Sequence, residues 1–397
     1  MLSGEPVATG NAVRRVLSEP VIASVDSPPW DNSSMDGYAV RSTDLTRPGT
    51  TLNVVGEIAA GSFPEREIES GEAMRVMTGA PVPPGADTVI RHEDTDDGRS
   101  SVTIRDLRDA KRNIRKRGED FFAGETIFPA GGTLGIAHVG ALAAAGVQTV
   151  SVHKRPRVAI LSSGDELVPL EDFAPALAGR KIVSANSITL VELVRDAGGE
   201  PVDIGIAADT IESVREKLEA IRDVDLIITS AGISVGDHDF VRTVFEALGG
   251  TIDFWKVRMR PGAPLAFGIL GSTPWIGLSG NPVSAIVTFE LFVRPAVRKM
   301  LGSSLLFPRT IPVRVSHDID LAAPLMHFLR VDVTPDDDRA YTAKLAGSQS
   351  SGVLTAMARS NALLVLPGDS THIAAGEVHR AIPFGEALAH DRELVLQ

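Results

Sequence analysis

The chain has 397 residues, with Lys+Arg 39 against Asp+Glu 51 and a formal net charge of −12, so it lacks the basic face that general DNA or RNA binding needs. That length is more than one hydrophobic core usually serves, and 43% hydrophobic with 23% charged residues excludes a disordered or fibrous chain. The absence of cysteine excludes a disulfide framework, a thiolate metal site and a cysteine nucleophile.

From the N-terminus, MLSGEPVATGNAVRR lacks the basic start, apolar middle and small-residue cleavage site of a signal peptide. The longest apolar stretches, such as Ile136 to Val147, are interrupted by glycine and histidine and do not span a bilayer. The chain therefore reads as soluble and cytoplasmic, with neither nucleic acid nor membrane as a partner. Met1 to Ala123 is rich in short β-like runs, such as Thr51 to Gly56 and Ser101 to Arg105, bounded by turn clusters such as Ala80-Pro-Val-Pro-Pro-Gly85. Within it, Asp36-Gly37 is by default a hairpin turn. Arg75 to Pro83 ends a strand in a Thr78-Gly79 turn whose hydroxyl and N–H groups could meet an anion. Thr133 to Gly146 reads as an alanine-rich, helix-containing connection.

The texture changes at Arg157. Apolar runs Val158 to Leu161, Val202 to Ile206, Leu226 to Thr229 and Trp275 to Leu278 alternate with helical patterns over Ile188 to Ala197, Thr210 to Ile221, Phe240 to Leu248 and onward from Val283. Buried strands alternating with helices predict a doubly wound parallel sheet. From Phe307 the chain returns to short β-like segments, Ile311 to Val315 and Ala362 to Leu366 among them, and predicts a small β domain.

Ligands of open α/β sheets sit at the carboxyl ends of the strands. Three loops fall there: Ser162-Ser-Gly-Asp-Glu166, Ser230 to Asp239, and Ser279-Gly-Asn-Pro-Val-Ser284. Singly, a Gly-Asp pair is an ordinary turn; three small, glycine-containing loops on one sheet edge predict a shared cleft in which backbone N–H groups approach an anion. Ser163, Gly164, Asp165, Gly232, Ser234, Gly236, Gly280, Asn281 and Pro282 are its candidate binding residues. The same edge carries Asp165, Glu166, Asp209, Asp237 and Asp239. Carboxylates and phosphates share a site when a hard cation lies between them, which suits magnesium. Plainer readings stand beside this one. Asp209 could cap a helix starting at Thr210, Asp165 and Glu166 could complement a helix dipole, and Asp237 or Asp239 could cap the helix at Phe240. Positive charge comes from Trp255 to Pro261, whose alternation puts Lys256, Arg258 and Arg260 on one face of a strand, and from Arg115-Lys-Arg117 ahead of Glu119 and Asp120. Either run could also be a solvated face. Zinc-hydrolase, phosphate-loop and nucleophile-elbow patterns are absent.

Six stretches resemble the MoeA family, the molybdopterin molybdenumtransferases related to the gephyrin E domain, in the family's order. They are Asp31-Asn-Ser-Ser-Met-Asp-Gly-Tyr-Ala-Val40, Met77 to Pro83, Arg117-Gly-Glu-Asp120, Ser163-Gly-Asp-Glu-Leu167, Ser234-Val-Gly-Asp-His-Asp239 and Gly280-Asn-Pro-Val-Ser284. The resemblance covers essentially the whole chain and implies α/β plus β architecture in four parts. These are a small linking domain (1–21 plus 124–156), an inserted elongated, mostly-β domain (22–123), a molybdopterin-binding α/β domain (157–306) and a C-terminal β domain (307–397). It implies a homodimer in which Asp36, Thr78 and Asp120 of one subunit face Glu166, Asp209 and Asp239 of the other. The implied reaction cleaves adenylyl-molybdopterin and inserts molybdate, releasing AMP and molybdenum cofactor. The implied catalytic set is Asp36, Asp120, Glu166, Asp209 and Asp239, with magnesium on the last three. Thr78, Arg115, Lys116, Arg117, Lys256 and Arg260 are implied substrate contacts. Implied partners are the molybdopterin adenylyltransferase and the molybdoenzymes that receive the cofactor. This chain departs from many relatives at Arg260 and Ala263, where they carry lysine, and at Ser279, where they carry proline. Two other readings are a non-catalytic scaffold that binds a protein through the same fold, and an enzyme that adenylylates molybdopterin. The second would need only the α/β part, and the first would not need the acidic set.

Overall fold

The apolar runs of the third region pair as a six-stranded sheet, in the order Glu200–Ala207, Arg157–Ser163, Leu226–Ser230, Thr273–Leu278, Leu265–Leu270, Thr251–Trp255. These and all further features come from a computed structural model, which describes residues 1–232, 240–336 and 340–385. The first four strands run parallel and the last two add antiparallel to the edge. Helices Ile211–Glu219 and Phe240–Ala247 cover one face, where Val214, Leu218, Val244 and Phe245 pack on Ala159, Leu161, Ile227 and Trp275. Trp275 is fully buried, its ring centroid 4.3 Å from that of Phe245, and its indole N–H donates to Thr229 Oγ1 at 3.0 Å. Such a ring is buried at no polar cost because its one donor is satisfied. Helix Ala185–Asp196 packs against helix Pro282–Thr288. The fold is thus doubly wound, as the alternation of apolar runs and helical patterns predicts.

The chain divides into two units, one of Glu5–Val152 and the other of Met1–Gly4 with His153 to the C-terminus. The larger unit also holds a β domain in which strands Met326–Pro335, Tyr341–Leu345, Ile311–Val315, Val378–Pro383 and Ala362–Leu366 pair in turn, and the first pairs again with the last. That closure removes free edges, and its interior is aliphatic, with Val313, Val331, Leu364 and Ala381 buried.

The smaller unit centres on a five-stranded sheet in the order Thr88–Arg91, Gly37–Val40, Glu72–Val76, Thr50–Ile58, Ser101–Ile104. Separately, helix Ile136–Ala144 and strand Thr149–His153 close over Leu17, Leu134, Leu142 and Val150. Asp36-Gly37 is not a hairpin turn. Gly37 begins a central strand between Val76 and Arg91, and a Cβ there would lie 2.0 Å from the Ile90 carbonyl oxygen. The dipeptide carries a hairpin signal, but the pressure on this glycine comes from the neighbouring strand's backbone.

The basic alternation from Trp255 to Pro261 also folds differently. The strand Thr251–Trp255 ends there, Lys256 takes φ +86°, and Met259–Arg260 joins the C-terminal sheet beside Met326–Pro335. Lys256, Arg258 and Arg260 therefore share no strand face. Alternation looks the same whether a strand continues or breaks at one left-handed residue.

Candidate functional site

Two of the three strand-end loops, with part of the third, converge. Ser163, Glu166, Gly232, Gly280, Asn281 and Pro282 line one cavity of about 470 Å³ at the carboxyl end of the sheet, together with Ser184, Asn186, Ser230 and Ser279. Its lining holds no lysine, arginine or histidine among the described residues, and Glu166 is its one charged member. The polar side chains form a network. Ser187 Oγ lies 2.9 Å from Ser162 Oγ and 2.7 Å from Ser184 Oγ. The Asn186 side-chain amide donates to Ser230 Oγ and to the Gly280 carbonyl, both at 2.8 Å. Gly232 has φ +69°, and a Cβ there would sit 2.3 Å from Val241 Cγ2, so no other residue fits without moving the helix at Phe240. A Cβ on Gly164 would lie 2.7 Å from the Glu166 carboxylate, which shows how closely that acid folds over its own loop.

Asp165 and Asp209 flank this loop and hold each other. The Asp209 N–H donates to Asp165 Oδ1 at 3.0 Å and the Asp165 N–H to Asp209 Oδ2 at 3.3 Å. Asp209 is not the helix cap. Thr210 is, its hydroxyl accepting from the Ser213 N–H at 3.2 Å. Asp165 and Glu166 open no helix of their own, since a short strand, Leu167–Val168, follows them. Among the described residues no group of three or more His, Asp or Glu side chains is placed to hold a metal ion. Ser234, Gly236, Asp237 and Asp239 lie outside the described residues.

A second cavity, of about 700 Å³, shares Pro264, Ser279 and Asn281 with the first and extends to the C-terminal β domain. Arg260 and Arg330 bring it the positive charge that the first lacks, and His327 and the carboxylate of Asp320 line it as well. Arg330 is fully buried. One guanidinium nitrogen donates to the carbonyls of Ser348 and Ser350 at 2.9 and 3.0 Å, while Nε and the other terminal nitrogen have no hydrogen-bond partner among the described residues. Burial pushes the Arg330 pKa down, and burial, with the Arg260 charge nearby, holds His327 below its ordinary value. A buried cation with unspent donors is costly unless an anion completes it. Sequence reasoning missed Arg330, Asn186 and Ser184. The run Ser184-Ala-Asn-Ser187 opening a helix was the available signal for the last two; a lone arginine inside an apolar strand gave none for the first. Lys256 lines neither cavity, and its ammonium rests 4.8 Å from the Trp255 ring centroid.

The smaller unit gathers its own motifs. Strand Asn32–Ser33 pairs with Ile114–Arg115, and the Ser33 N–H donates to the Ala80 carbonyl at 2.9 Å. Asp36 Oδ1 accepts from the Thr78 N–H at 2.6 Å and the Thr78 hydroxyl at 2.7 Å, which holds its pKa below the ordinary carboxylate value. The anion that the Thr-Gly turn meets is thus Asp36 itself. Lys116 Nζ lies 2.7 Å from Asp31 Oδ2, and the Arg117 N–H donates to Asp31 Oδ1 at 2.8 Å. The Arg117 guanidinium pairs with Asp26. Asp120 follows in the same turn, its N–H donating to the Ser27 carbonyl at 2.9 Å. Lys116 and Arg117 are therefore already neutralised within this unit, and Arg115 is exposed.

Three family models match the chain in order: "MoeA N-terminal region (domain I and II)" over residues 2–146, "Probable molybdopterin binding domain" over 159–299, and "MoeA C-terminal region (domain IV)" over 312–384. A protein of Nostoc sp. named molybdopterin molybdenumtransferase is 37% identical over 91% of this chain and 85% of its own length. One of the same name from Haemophilus influenzae is 34% identical over 95% and 93%. The chain belongs to the MoeA family. The crystal structure of the molybdopterin biosynthesis moeA protein from Pyrococcus horikoshii superimposes with a TM-score of 0.81 at 28% identity, covering 96% of this chain and 94% of that one. The MoeA fold thus accounts for the multidomain α/β plus β architecture.

Proposed function

We propose that this chain is a molybdopterin molybdenumtransferase, which inserts molybdate into adenylyl-molybdopterin and releases AMP in molybdenum cofactor biosynthesis. The observation that carries the reading is a pair of adjoining cavities, the first without a cationic side chain among the described residues and the second holding Arg260 and Arg330. A nucleotide conjugate suits the first, where hydroxyls, amides and backbone N–H groups of the strand-end loops supply neutral hydrogen bonds. A small oxyanion suits the second, where Arg330 holds unspent donors and Arg260 adds charge. The shared wall at Ser279 and Asn281 brings the two reactants together, and such proximity removes much of the entropy cost of a bimolecular step.

The lining supports a magnesium requirement: among the described residues Glu166 is the one charged side chain of the first cavity, so a phosphoanhydride entering it would meet a carboxylate with no cation from those residues beside it. Magnesium takes one or two carboxylates and completes its shell with phosphate oxygens and water. Glu166 and Asp209 would hold it, with Asp239, and it would screen and polarise the anhydride that breaks. Asp36, Thr78, Asp120, Arg115, Lys116 and Arg117 belong to this reading as residues of a partner protomer in a homodimer. The bond from Thr78 would keep Asp36 ionised there. The four-part domain division, a cytoplasmic location, and encounters with the adenylyltransferase and the recipient molybdoenzymes belong to the same proposal.

The test is AMP release from adenylyl-molybdopterin, with and without molybdate and magnesium. Expected is release that needs both and is abolished by Glu166→Ala or Asp209→Ala in folded protein. Full turnover by both variants, or no release under any condition, would overturn the assignment.

A further inference from the structure

We infer that Asn186 is a positioning residue of the transferase site, a clamp that fixes two strand-end loops against each other. The inference rests on the function proposed above and extends it to a residue outside the six family motifs. Strands Leu226–Ser230 and Thr273–Leu278 are neighbours in the sheet, and their last paired residues are Ser230 and Leu278. One more bond, from the Ala231 N–H to the Leu278 carbonyl at 3.0 Å, continues the pairing. Beyond it the chains separate. One runs on through Gly232, and the other turns through Ser279 and Gly280 into the helix at Pro282.

Asn186 bridges that divergence from a third element, the first turn of helix Ala185–Asp196. Its amide nitrogen spends one hydrogen on Ser230 Oγ and the other on the Gly280 carbonyl, both at 2.8 Å. A carbonyl only accepts, so the group facing Gly280 must be the NH2, and the orientation of the amide is fixed by chemistry. Gly280 in turn lies so close to Ala231 that a Cβ on it would be 3.1 Å from Ala231 Cβ. The clamp thus closes a contact that leaves no slack. All three groups, Asn186, Ser230 and Gly280, line the first cavity.

A loop shifted by about 1 Å can cost about a hundredfold in rate. The clamp therefore acts on turnover, whereas a residue that merely binds substrate acts on KM. Asn186→Ala removes both donors. Asn186→Asp keeps size and shape but sets a carboxylate against the Gly280 carbonyl, so it serves where the alanine variant folds poorly. In the AMP-release assay, both are expected to lower kcat about tenfold to a hundredfold, with KM changed less than threefold. Ser230→Ala removes one leg of the same clamp, so the Asn186→Ala, Ser230→Ala double variant is expected within about twofold of Asn186→Ala alone, the non-additivity of shared partners. Wild-type kcat in folded Asn186→Asp, a loss confined to KM, or a double variant equal to the product of the singles would overturn the inference. Amide hydrogen exchange, measured without substrate, separates this inference from the function on which it rests. Exchange across Ser279–Asn281 and at Ala231 should quicken at least tenfold in either Asn186 variant, and unchanged exchange would overturn the clamp. Should the wild-type protein release no AMP, the transferase reading fails and the exchange result alone decides the clamp.

Discussion

Asp36 and Thr78 show how an exposed carboxylate is kept charged by a neighbour's backbone and hydroxyl. Asp36 is exposed, so water screens the interaction and the hydroxyl's share is small, about 0.5–1 kcal/mol. Thr78→Val should lose about that much in chemical denaturation while raising the Asp36 pKa, read by NMR titration. The pH dependence has a definite sign. A carboxylate with a depressed folded pKa stabilises the fold above its unfolded value and loses that contribution as pH falls through the folded one. The stability gap between wild type and Asp36→Asn should therefore be full near pH 6 and shrink below about pH 4, the ordinary aspartate range. A gap that grew on acidification would contradict the bonded geometry. Gly37 makes a second case. Its Cβ space is filled by the Ile90 carbonyl, so Gly37→Ala should destabilise the β unit by several kcal/mol, about 3 or more, with a lower thermal midpoint as the readout.

Among elements, the parallel strands were legible because each is buried on both faces and must read as an uninterrupted apolar run. Their helices were legible by spacing, and Gly198, at φ +95°, ends one of them where the Gly-Gly pair said it would. The segment from Trp255 to Pro261 was not legible, because its break lies in one residue's backbone and leaves the side-chain pattern intact. At Lys256 the left-handed φ costs energy that glycine would not incur, while the ammonium gains from the Trp255 ring. Lys256→Gly should therefore change stability by less than about 1 kcal/mol in calorimetry. A loss of several kcal/mol would mean that the ring contact dominates. The candidate site was legible wherever a loop carried glycine and an acid side by side, as in Ser163 to Glu166. It was not legible at Arg330, which sits in a strand rich in apolar residues and declares itself only by being buried with two nitrogens unpaired among the described residues.

At the scale of the whole molecule, a net charge of −12 must coexist with the proposed site for anions, and in the larger unit the buried Arg330 lines one cavity while Glu166 lines the other. Replacing Arg330 with methionine keeps volume and removes the uncompensated charge. Folding stability is then expected to hold or rise while the molybdate concentration needed for half-maximal AMP release increases about tenfold or more. Equal molybdate dependence in both proteins would remove the oxyanion role. The proposed dimer predicts sedimentation as a two-chain species at micromolar concentration, and a strictly monomeric protein with full activity would refute a site shared between protomers.

The partition formed by Pro264, Ser279 and Asn281 has a consequence for how such a protein can change. Because one wall serves both chambers, a mutation that reshapes the room for one reactant also reshapes the room for the other. Discrimination between metalates of nearly equal size and charge would then evolve slowly at that wall, and faster at residues that line the second chamber alone, such as His327 and Gln349. Libraries aimed at altered metal choice should be built there first.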